Sequence, residues 1–161
     1  KFLFINSGYN LRPLDVTAAI ANNQYKRLNQ FMKTRSDNRK LIIDTISENK
    51  KWNNQFIFIE PEKEMSPSWF GLPILINEKL KKKKTTLLRF LDKQRIENRP
   101  IVSGNFLNQP AIKLYKLSTK NKFFNSQLVE ESGFFIGLHT KKITKKMANY
   151  IATNLLKIDE I

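Results

Sequence analysis

Hydrophobic residues in this chain follow two patterns, one with helical spacing and one as short continuous runs. Apolar side chains every three or four residues predict helices, whereas runs of branched and aromatic residues predict strands. In chain order we predict helices over 14–24 and 25–49, strands over 55–59 and 68–76, a helix that begins at Thr85 or Thr86, a strand over 99–102, short helices over 111–115 and 125–131, a strand over 133–138, and a last helix capped by Thr144. Consecutive strands can pair antiparallel with helices gathered on one face, so this order indicates an α+β fold with a small, mainly antiparallel sheet.

Four local features refine this prediction. The middle of the second helix, Lys33–Lys40, is polar on all faces, so we expect a long helix that crosses solvent or bridges two domains. Pro73 cannot donate a backbone hydrogen bond, which favours an edge position or a bulge for its strand. The run Lys81–Lys84 has no interleaved aromatic residues, and we expect a solvated surface turn there. Trp69 and Phe70 are expected to belong to the core.

The composition limits the classes of function. At 161 residues the chain has the length of a single domain. No apolar run is long enough to span a membrane, and the lack of cysteine excludes disulfides and is compatible with a cytoplasmic protein. The net charge of +15 favours nucleic acid, an anionic membrane or phosphorylated small molecules as partners, but the basic residues are spread along the chain, which argues against nucleic acid. The chain begins with Lys1, so we expect a fragment of a longer protein.

The residues before the first helix form a candidate anion-binding loop. Gly8 permits a tight backbone path, and Pro13 suits the first helical turn. Asn10 and Arg12 then project from a helix N-terminus, where backbone N–H groups and the helix dipole favour anions. A phosphate is a natural ligand for this loop, and an ordinary polar loop is the alternative.

Other candidate ligand residues lie at strand ends, where loops commonly carry binding side chains. Arg99 offers a planar fork suited to phosphate or carboxylate, and Asn105 and Gln109 follow in the next polar loop. His139, the only histidine, follows the last strand and can donate a hydrogen bond or titrate near neutral pH. With one histidine and no cysteine we expect no metal site. Each of these residues alone is more often structural than functional.

Four motifs in the chain resemble those of one enzyme family. They are Gly8-Tyr9-Asn10-Leu11-Arg12, Pro67-Ser68-Trp69-Phe70-Gly71, Arg99-Pro100 with Gly104-Asn105 and Gln109-Pro110 beyond it, and Phe134-Phe135-Ile136-Gly137-Leu138-His139. Together they resemble the DegT/StrS family of pyridoxal 5'-phosphate (PLP) enzymes, which act on nucleotide-linked sugars. Within the family they are most similar to the 3-dehydratase branch, of the CDP-4-keto-6-deoxyglucose type. Thr17 stands where the family commonly has Gln, and Asn108 stands where the dehydratase branch often has Arg.

The resemblance implies the C-terminal part of a PLP enzyme of fold type I that works as a homodimer. Residues 1–24 would end the large PLP domain and carry the interface loop, and 25–161 would form the linking helix and the C-terminal small domain. Asn10 would reach the PLP phosphate across the dimer interface. Arg12 would lie nearby and face the phosphate or the sugar nucleotide.

The resemblance also implies where substrate binds. Arg99, Asn105 and Gln109 would match the small-domain segment that faces the substrate or the amino donor, and we add His139 as a fourth candidate substrate-binding residue. The family's Schiff-base lysine, or the histidine that replaces it in the dehydratases, would lie upstream of Gly8. We therefore expect the fragment alone to be inactive.

The implied function is 3-dehydration of a nucleotide-linked keto-deoxysugar in the biosynthesis of lipopolysaccharide or O-antigen sugars. An iron–sulfur or flavin reductase would be a further partner of such a dehydratase. Three alternatives stay open at this point: a sugar aminotransferase of the same family, a small basic nucleic-acid-binding module, and an interaction domain that kept the fold and lost the activity.

Overall fold

The computed structural model of the chain describes residues 14–110, 112 and 122–161. Its helices are α1 (Asp15–Tyr25), α2 (Leu28–Ser47), α3 (Lys84–Lys93), α4 (Phe124–Ser132) and α5 (Lys145–Leu155), and its strands are β1 (Phe56–Phe58), β2 (Gly71–Ile76), β3 (Asn98–Pro100) and β4 (Gly133–Gly137). Short 3₁₀ helices cover Glu78–Lys83, Phe106–Asn108 and Leu156–Asp159. The predicted helix over 111–115 falls almost entirely outside the described residues.

The four strands form one antiparallel sheet in the order β1-β2-β4-β3. The register places Ile74 opposite Phe134 and Leu72 opposite Ile136, so these apolar side chains share one face of the sheet. Helices α2, α3 and α5 cover this face with the buried side chains Ile42, Ile46, Leu87, Leu91, Ala148, Ala152 and Leu155. The predicted α+β architecture is therefore confirmed.

The position of Pro73 corrects one prediction. Its strand, β2, lies inside the sheet between β1 and β4 and is not an edge strand. Pro73 pairs with Phe135 of β4, but the pairing with β1 begins only at Ile74. The proline therefore lies just beyond the end of β1, where its missing N–H removes no bond to that strand.

The polar middle of α2 packs against the protein, so the prediction that Lys33–Lys40 crosses solvent is wrong. Asn38 and Arg39 are only 2% and 8% exposed. Asn38 donates to the backbone carbonyls of His139 and Lys141, at 2.9 Å each. This face of α2 is polar because it contacts the backbone of loops, whose carbonyl and amide groups need hydrogen-bond partners when they are buried.

The lysine run is helical and does not form the solvated turn predicted for Lys81–Lys84. Residues Glu78–Lys83 form a 3₁₀ helix, which Asn77 caps by accepting from the N–H of Lys79, and α3 follows directly at Lys84. The two threonines predicted as N-caps therefore lie inside α3.

The lysines of this run hold neighbouring elements together. The Nζ of Lys81 lies 2.8 Å from an Oε of Glu131 on α4 and 2.6 Å from Glu78, and these hydrogen bonds raise the pKa of Lys81. Lys84 donates to the carbonyl of Glu130 at 2.7 Å, and burial lowers its pKa. The run is thus a structural junction between α3 and α4.

Helix α1 is exposed along its entire length. Its apolar side chains Val16 and Ile20 are 70% and 59% exposed, as is Leu14 just before it, at 67%. The chain turns at Lys26 and Arg27 before α2 begins, so the predicted helix over 25–49 starts later than expected. Among the described residues, no helix has the length and apolarity that a membrane crossing needs.

Candidate functional site

Two of the predicted ligand residues, Arg99 and His139, line the same groove. The groove has a volume of about 1300 Å³ and lies beside edge strand β3 and helix α5. Its lining consists of Arg35, Phe70, residues 94–99 and 135–139, and the α5-side residues Lys146, Met147, Asn149, Tyr150, Ile151, Thr153, Asn154 and Lys157. We call it the basic groove.

The strand register determines the position of Arg99. Arg99 lies opposite Phe135, on the sheet face turned away from the packed core. Its guanidinium is exposed and donates twice to one carboxylate oxygen of Glu97, at 2.9 and 3.1 Å. An exposed ion pair of this kind contributes little stability, so a stronger anionic ligand could replace Glu97 at small cost.

His139 follows β4 and is held by backbone contacts. Its Nδ1 accepts from the N–H of Lys141 at 2.9 Å, and its carbonyl accepts from the side chain of Asn38 at 2.9 Å. The ring itself is exposed. The backbone therefore holds the Nδ1 side of the imidazole at the border of the groove.

Aromatic rings and a second arginine form the adjoining wall. The rings of Phe70 and Phe135 are 5.9 Å apart at an interplanar angle of 58°, and the guanidinium of Arg35 lies 5.9 Å from the Phe70 ring centre. The carbonyl of Phe70 accepts from the N–H of Leu138, whose own carbonyl accepts from Arg35 Nε, both at 3.2 Å. Phe70 is 70% exposed, so the prediction that it belongs to the core is wrong.

The charge of the groove suits an anion. Its lining includes the cations Arg35, Arg95, Arg99, Lys146 and Lys157, and a single carboxylate, that of Glu97. Arginine is well matched to phosphate because its planar fork can donate two parallel hydrogen bonds. Together with the exposed ring of Phe70 and the half-buried ring of Phe135, these groups can bind a ligand that carries phosphate and a flat or apolar part.

The other two predicted substrate residues lie away from the groove. Asn105 is buried; its side chain donates to Gln127 at 3.1 Å, and its N–H donates to Glu130 at 3.1 Å. Its Oδ1 accepts from the N–H of Leu107, which caps the short 3₁₀ helix that follows. Gln109 forms backbone hydrogen bonds in the same loop. The structure therefore brings Arg99 and His139 together and leaves these two residues apart.

The candidate cofactor residues Asn10 and Arg12 lie outside the described residues. Sequence reasoning missed Arg35 and Asn38, which stand in the polar middle of α2. The signal that could have found them was the polarity of that stretch, interpreted as a buried face that contacts loops. Within the described ranges, no three His, Asp or Glu side chains are grouped so that they could hold a metal ion.

The chain matches the model of the "DegT/DnrJ/EryC1/StrS aminotransferase family" over residues 1–156. It is 31% identical, over 98% of its length, to a GDP-4-keto-6-deoxy-D-mannose 3-dehydratase from Yersinia pseudotuberculosis, of which it covers 38%. The chain therefore spans little more than a third of that relative. The match agrees with the predicted 3-dehydratase branch, although this relative is named for a GDP-linked and not a CDP-linked sugar.

Solved structures give the same result. The Escherichia coli GDP-4-keto-6-deoxy-D-mannose-3-dehydratase with bound hydrated PLP superimposes with a TM-score of 0.82 at 28% identity, covering 96% of this chain and 38% of that chain. A GDP-4-keto-6-deoxymannose-3-dehydratase mutant with bound GDP-perosamine gives a TM-score of 0.83 with the same identity and coverage. The predicted likeness to the small domain of PLP enzymes of fold type I is confirmed.

Proposed function

We infer the function of this chain from the DegT/DnrJ/EryC1/StrS aminotransferase family, to which it belongs, and we propose that it is the C-terminal part of a PLP-dependent nucleotide-sugar 3-dehydratase. In this proposal residues 1–24 end the large domain and 25–161 form the linking helix and small domain. The whole enzyme would remove the 3-hydroxyl group of a nucleotide-linked keto-deoxysugar for lipopolysaccharide or O-antigen biosynthesis. It would act as a homodimer.

One observation favours this proposal over the alternatives that the sequence left open. The similarity to a sugar 3-dehydratase, at 31% identity, extends over 98% of the chain. The exposed surface of α1 also supports it, since an apolar helix face without a partner in the described residues fits a contact with a large domain.

The cofactor would be PLP, which one of the structural relatives carries. PLP supplies an electron sink at the sugar, and the protein supplies its binding and orientation. Asn10 and Arg12 would hold its phosphate at the start of α1, where the helix N-terminus favours an anion. The remaining groups of the cofactor site would come from the large domain.

The nucleotide-linked sugar would occupy the basic groove. Arg99 and Arg35 would face its phosphates, and the aromatic pair Phe70 and Phe135 would border its flat or apolar part. His139 would contribute a hydrogen bond. The loop that contains Asn105 and Gln109 would stay outside the groove against α4, with Asn105 in a structural role because its polar groups already have protein partners.

The deciding experiment uses the full-length protein that contains this chain. PLP is added and its binding is followed by absorbance; borohydride is then added and the protein is weighed by mass spectrometry. A dehydratase with histidine at the Schiff-base position binds PLP without a permanent gain in mass. A permanent gain of the PLP mass means that lysine holds the cofactor and supports the aminotransferase alternative. A protein that binds no PLP overturns the proposal.

A matched pair of variants tests the part that this chain contributes. Asn10→Ala is expected to weaken PLP binding about tenfold, because a hydrogen bond to a charged phosphate is lost. Asn23→Ala, at an exposed position of α1, serves as the control. Equal PLP affinities of the two variants would remove Asn10 from the cofactor site.

A further inference from the structure

One side chain, that of Asn38, makes three hydrogen bonds to the loop at the border of the basic groove. Asn38, which is 2% exposed, donates to the carbonyls of His139 and Lys141 at 2.9 Å each and accepts from the N–H of Ile143 at 3.1 Å. An asparagine amide has two N–H hydrogens and one oxygen acceptor, and all three are used on this loop. We call residues 138–143 the Asn38 loop.

The ring of His139 is oriented within this loop. Its Nδ1 accepts from the N–H of Lys141 at 2.9 Å, so the neutral ring carries its hydrogen on Nε2. Among the described residues Nε2 has no protein partner, and His139 lines the groove. The atom left for a ligand is therefore a hydrogen-bond donor.

The neighbouring groups in the groove are also donors. Arg35, one helical turn before Asn38, donates through Nε to the carbonyl of Leu138 and lines the groove. Arg99, on edge strand β3, lines the same groove. Three donor side chains bordering one groove are suited to the oxygens of a phosphate.

We propose that Asn38 is a positioning residue for ligand binding: it holds His139 so that Nε2–H donates to a phosphate of the nucleotide-linked ligand in the basic groove. This inference rests on the proposed function, which supplies the nucleotide-linked ligand. Asn38 itself is buried and acts only through the loop. An aspartate at this position could not replace it, because a carboxylate accepts from Ile143 but has no hydrogen to donate to the two carbonyls.

The first measurement determines which nitrogen of the His139 ring carries the hydrogen, and it is made in the full-length protein. Nitrogen-15 NMR correlations of the imidazole at pH 8 identify which nitrogen carries the hydrogen, and the signal absent from His139→Ala is that of His139. The expected result is a ring with hydrogen on Nε2, which becomes an average of both forms in Asn38→Ala. A ring with hydrogen on Nδ1 in the unmodified protein, or no change in Asn38→Ala, overturns the proposal.

The binding role is measured with GDP and CDP by calorimetry. His139→Ala is expected to weaken the better-bound nucleotide about tenfold, since it removes a hydrogen bond to a charged group. Asn38→Ala should give a similar loss, and the double variant should lose no more than either single one, because both act through the same bond. Ser132→Ala, which removes another buried polar side chain, one that donates to the carbonyl of Leu128 outside the groove, should leave affinity unchanged.

The outcomes separate this inference from the proposed function. Additive losses in the double variant, or a loss in Ser132→Ala equal to that in Asn38→Ala, would reduce Asn38 to a merely structural residue and overturn the inference. A protein that binds PLP but neither nucleotide overturns the inference and leaves the cofactor assignment intact. If the protein binds a nucleotide with the expected coupling but binds no PLP, the proposed enzymatic function is wrong. The positioning role of Asn38 is then still supported.

Discussion

The guanidinium of Arg39 lies 4.4 Å from the centre of the Trp69 ring. The same group donates to the carbonyl of Ile59 at 2.6 Å and to the carboxylate of Glu60 at 2.8 Å. One buried side chain of α2 therefore holds both the segment after β1 and the segment before β2. Because Phe70 directly follows Trp69, this contact also sets the position of the aromatic wall of the basic groove.

Replacing Arg39 by lysine is expected to lower the free energy of unfolding by about 1–2 kcal/mol, since an ammonium lacks the planar guanidinium that stacks on the indole of Trp69. Arg89→Lys, at an exposed position of α3, is the control and should be neutral. Urea denaturation followed by tryptophan fluorescence measures both. Equal midpoints for the two variants would mean that the Arg39–Trp69 contact adds nothing to stability.

The charge of the basic groove leads to a second prediction. Arg99→Ala is expected to weaken binding of GDP or CDP to the full-length protein about tenfold, because a charged donor to phosphate is removed. The loss should shrink as salt is added, since exposed charges are screened. Arg89→Ala removes the same charge outside the groove. The nucleotide affinity of this variant, measured by titration calorimetry, should change little. If both arginines matter equally, the effect reflects net charge and not the groove.

The contacts of Lys81 predict how stability depends on pH. Its hydrogen bond holds the pKa of Glu131 below the ordinary value of 4.5. A carboxyl whose pKa is lower in the folded protein stabilises it above the unfolded pKa, and this contribution is lost as pH falls through the folded value. The stability difference between the unmodified protein and Lys81→Met should therefore be full near neutral pH and shrink below about pH 4.

On the alkaline side the sign is opposite for the lysine. The hydrogen bonds to Glu131 and Glu78 raise the pKa of Lys81, so its contribution is complete below the ordinary value of 10.5 and is lost as the pH rises from there through the raised folded value. Lys82→Met, at the exposed neighbouring position, is the control for the charge itself. A pH series of urea denaturation curves that is the same for the two variants would contradict this account.

Two glycine-to-alanine variants are expected to differ in stability. Gly104 has a φ of +63°, and a Cβ there would overlap the side chain and backbone of Glu130 on α4. Gly104→Ala is expected to cost about 1–3 kcal/mol of unfolding free energy, from backbone strain and displacement of α4. At Gly137 an added Cβ meets nothing within 4 Å, so Gly137→Ala should be close to neutral. Thermal unfolding that ranks them in the opposite order would refute the tight packing of α4 on this loop.

Local patterns in the sequence predicted those elements whose causes are local. Thr144 caps α5 by accepting from the N–H of Met147, as its position before an apolar helix indicated. The last strand was also recognised, because a continuous apolar run beside glycines reflects burial on one face. On α5, Met147 is exposed, and the small residues Ala148 and Ala152 face the core.

The contacts that define the site depend on tertiary structure and could be predicted only in part. Arg99 and His139 were singled out by residue type at strand ends, and the register of β3 and β4 brought them to one groove. Asn105 has the same polar character, but its side chain completes a cap and a loop, which sequence alone does not distinguish from a ligand contact. Asn38 and Arg39 were missed because a helix face that contacts loop backbone is polar and resembles a solvated face.

Gln55 ties the C-terminal end of the chain to the start of β1, and this contact gives the last prediction. The side chain is 2% exposed; its Oε1 accepts from the N–H of Asn53 at 2.8 Å, and its Nε2 donates to the carbonyl of Lys51 at 2.8 Å and to Asp159 Oδ2 at 2.6 Å. Gln55→Leu leaves these three groups without a partner and should cost about 1–3 kcal/mol of unfolding free energy.

Gln55→Glu keeps the shape but places a carboxylate against the carboxylate of Asp159, and it should be more destabilising at pH 7 than Gln55→Leu. The deficit should diminish as the pH is lowered, because protonation of one of the two carboxyls restores a hydrogen-bond donor between them. Gln24→Glu, on the exposed surface of α1, controls for the added charge. Urea denaturation at pH 7 and near pH 5 measures the effect, and a Gln55→Glu protein as stable as the Gln24→Glu protein at both pH values would show that Gln55 does not bind Asp159 in solution.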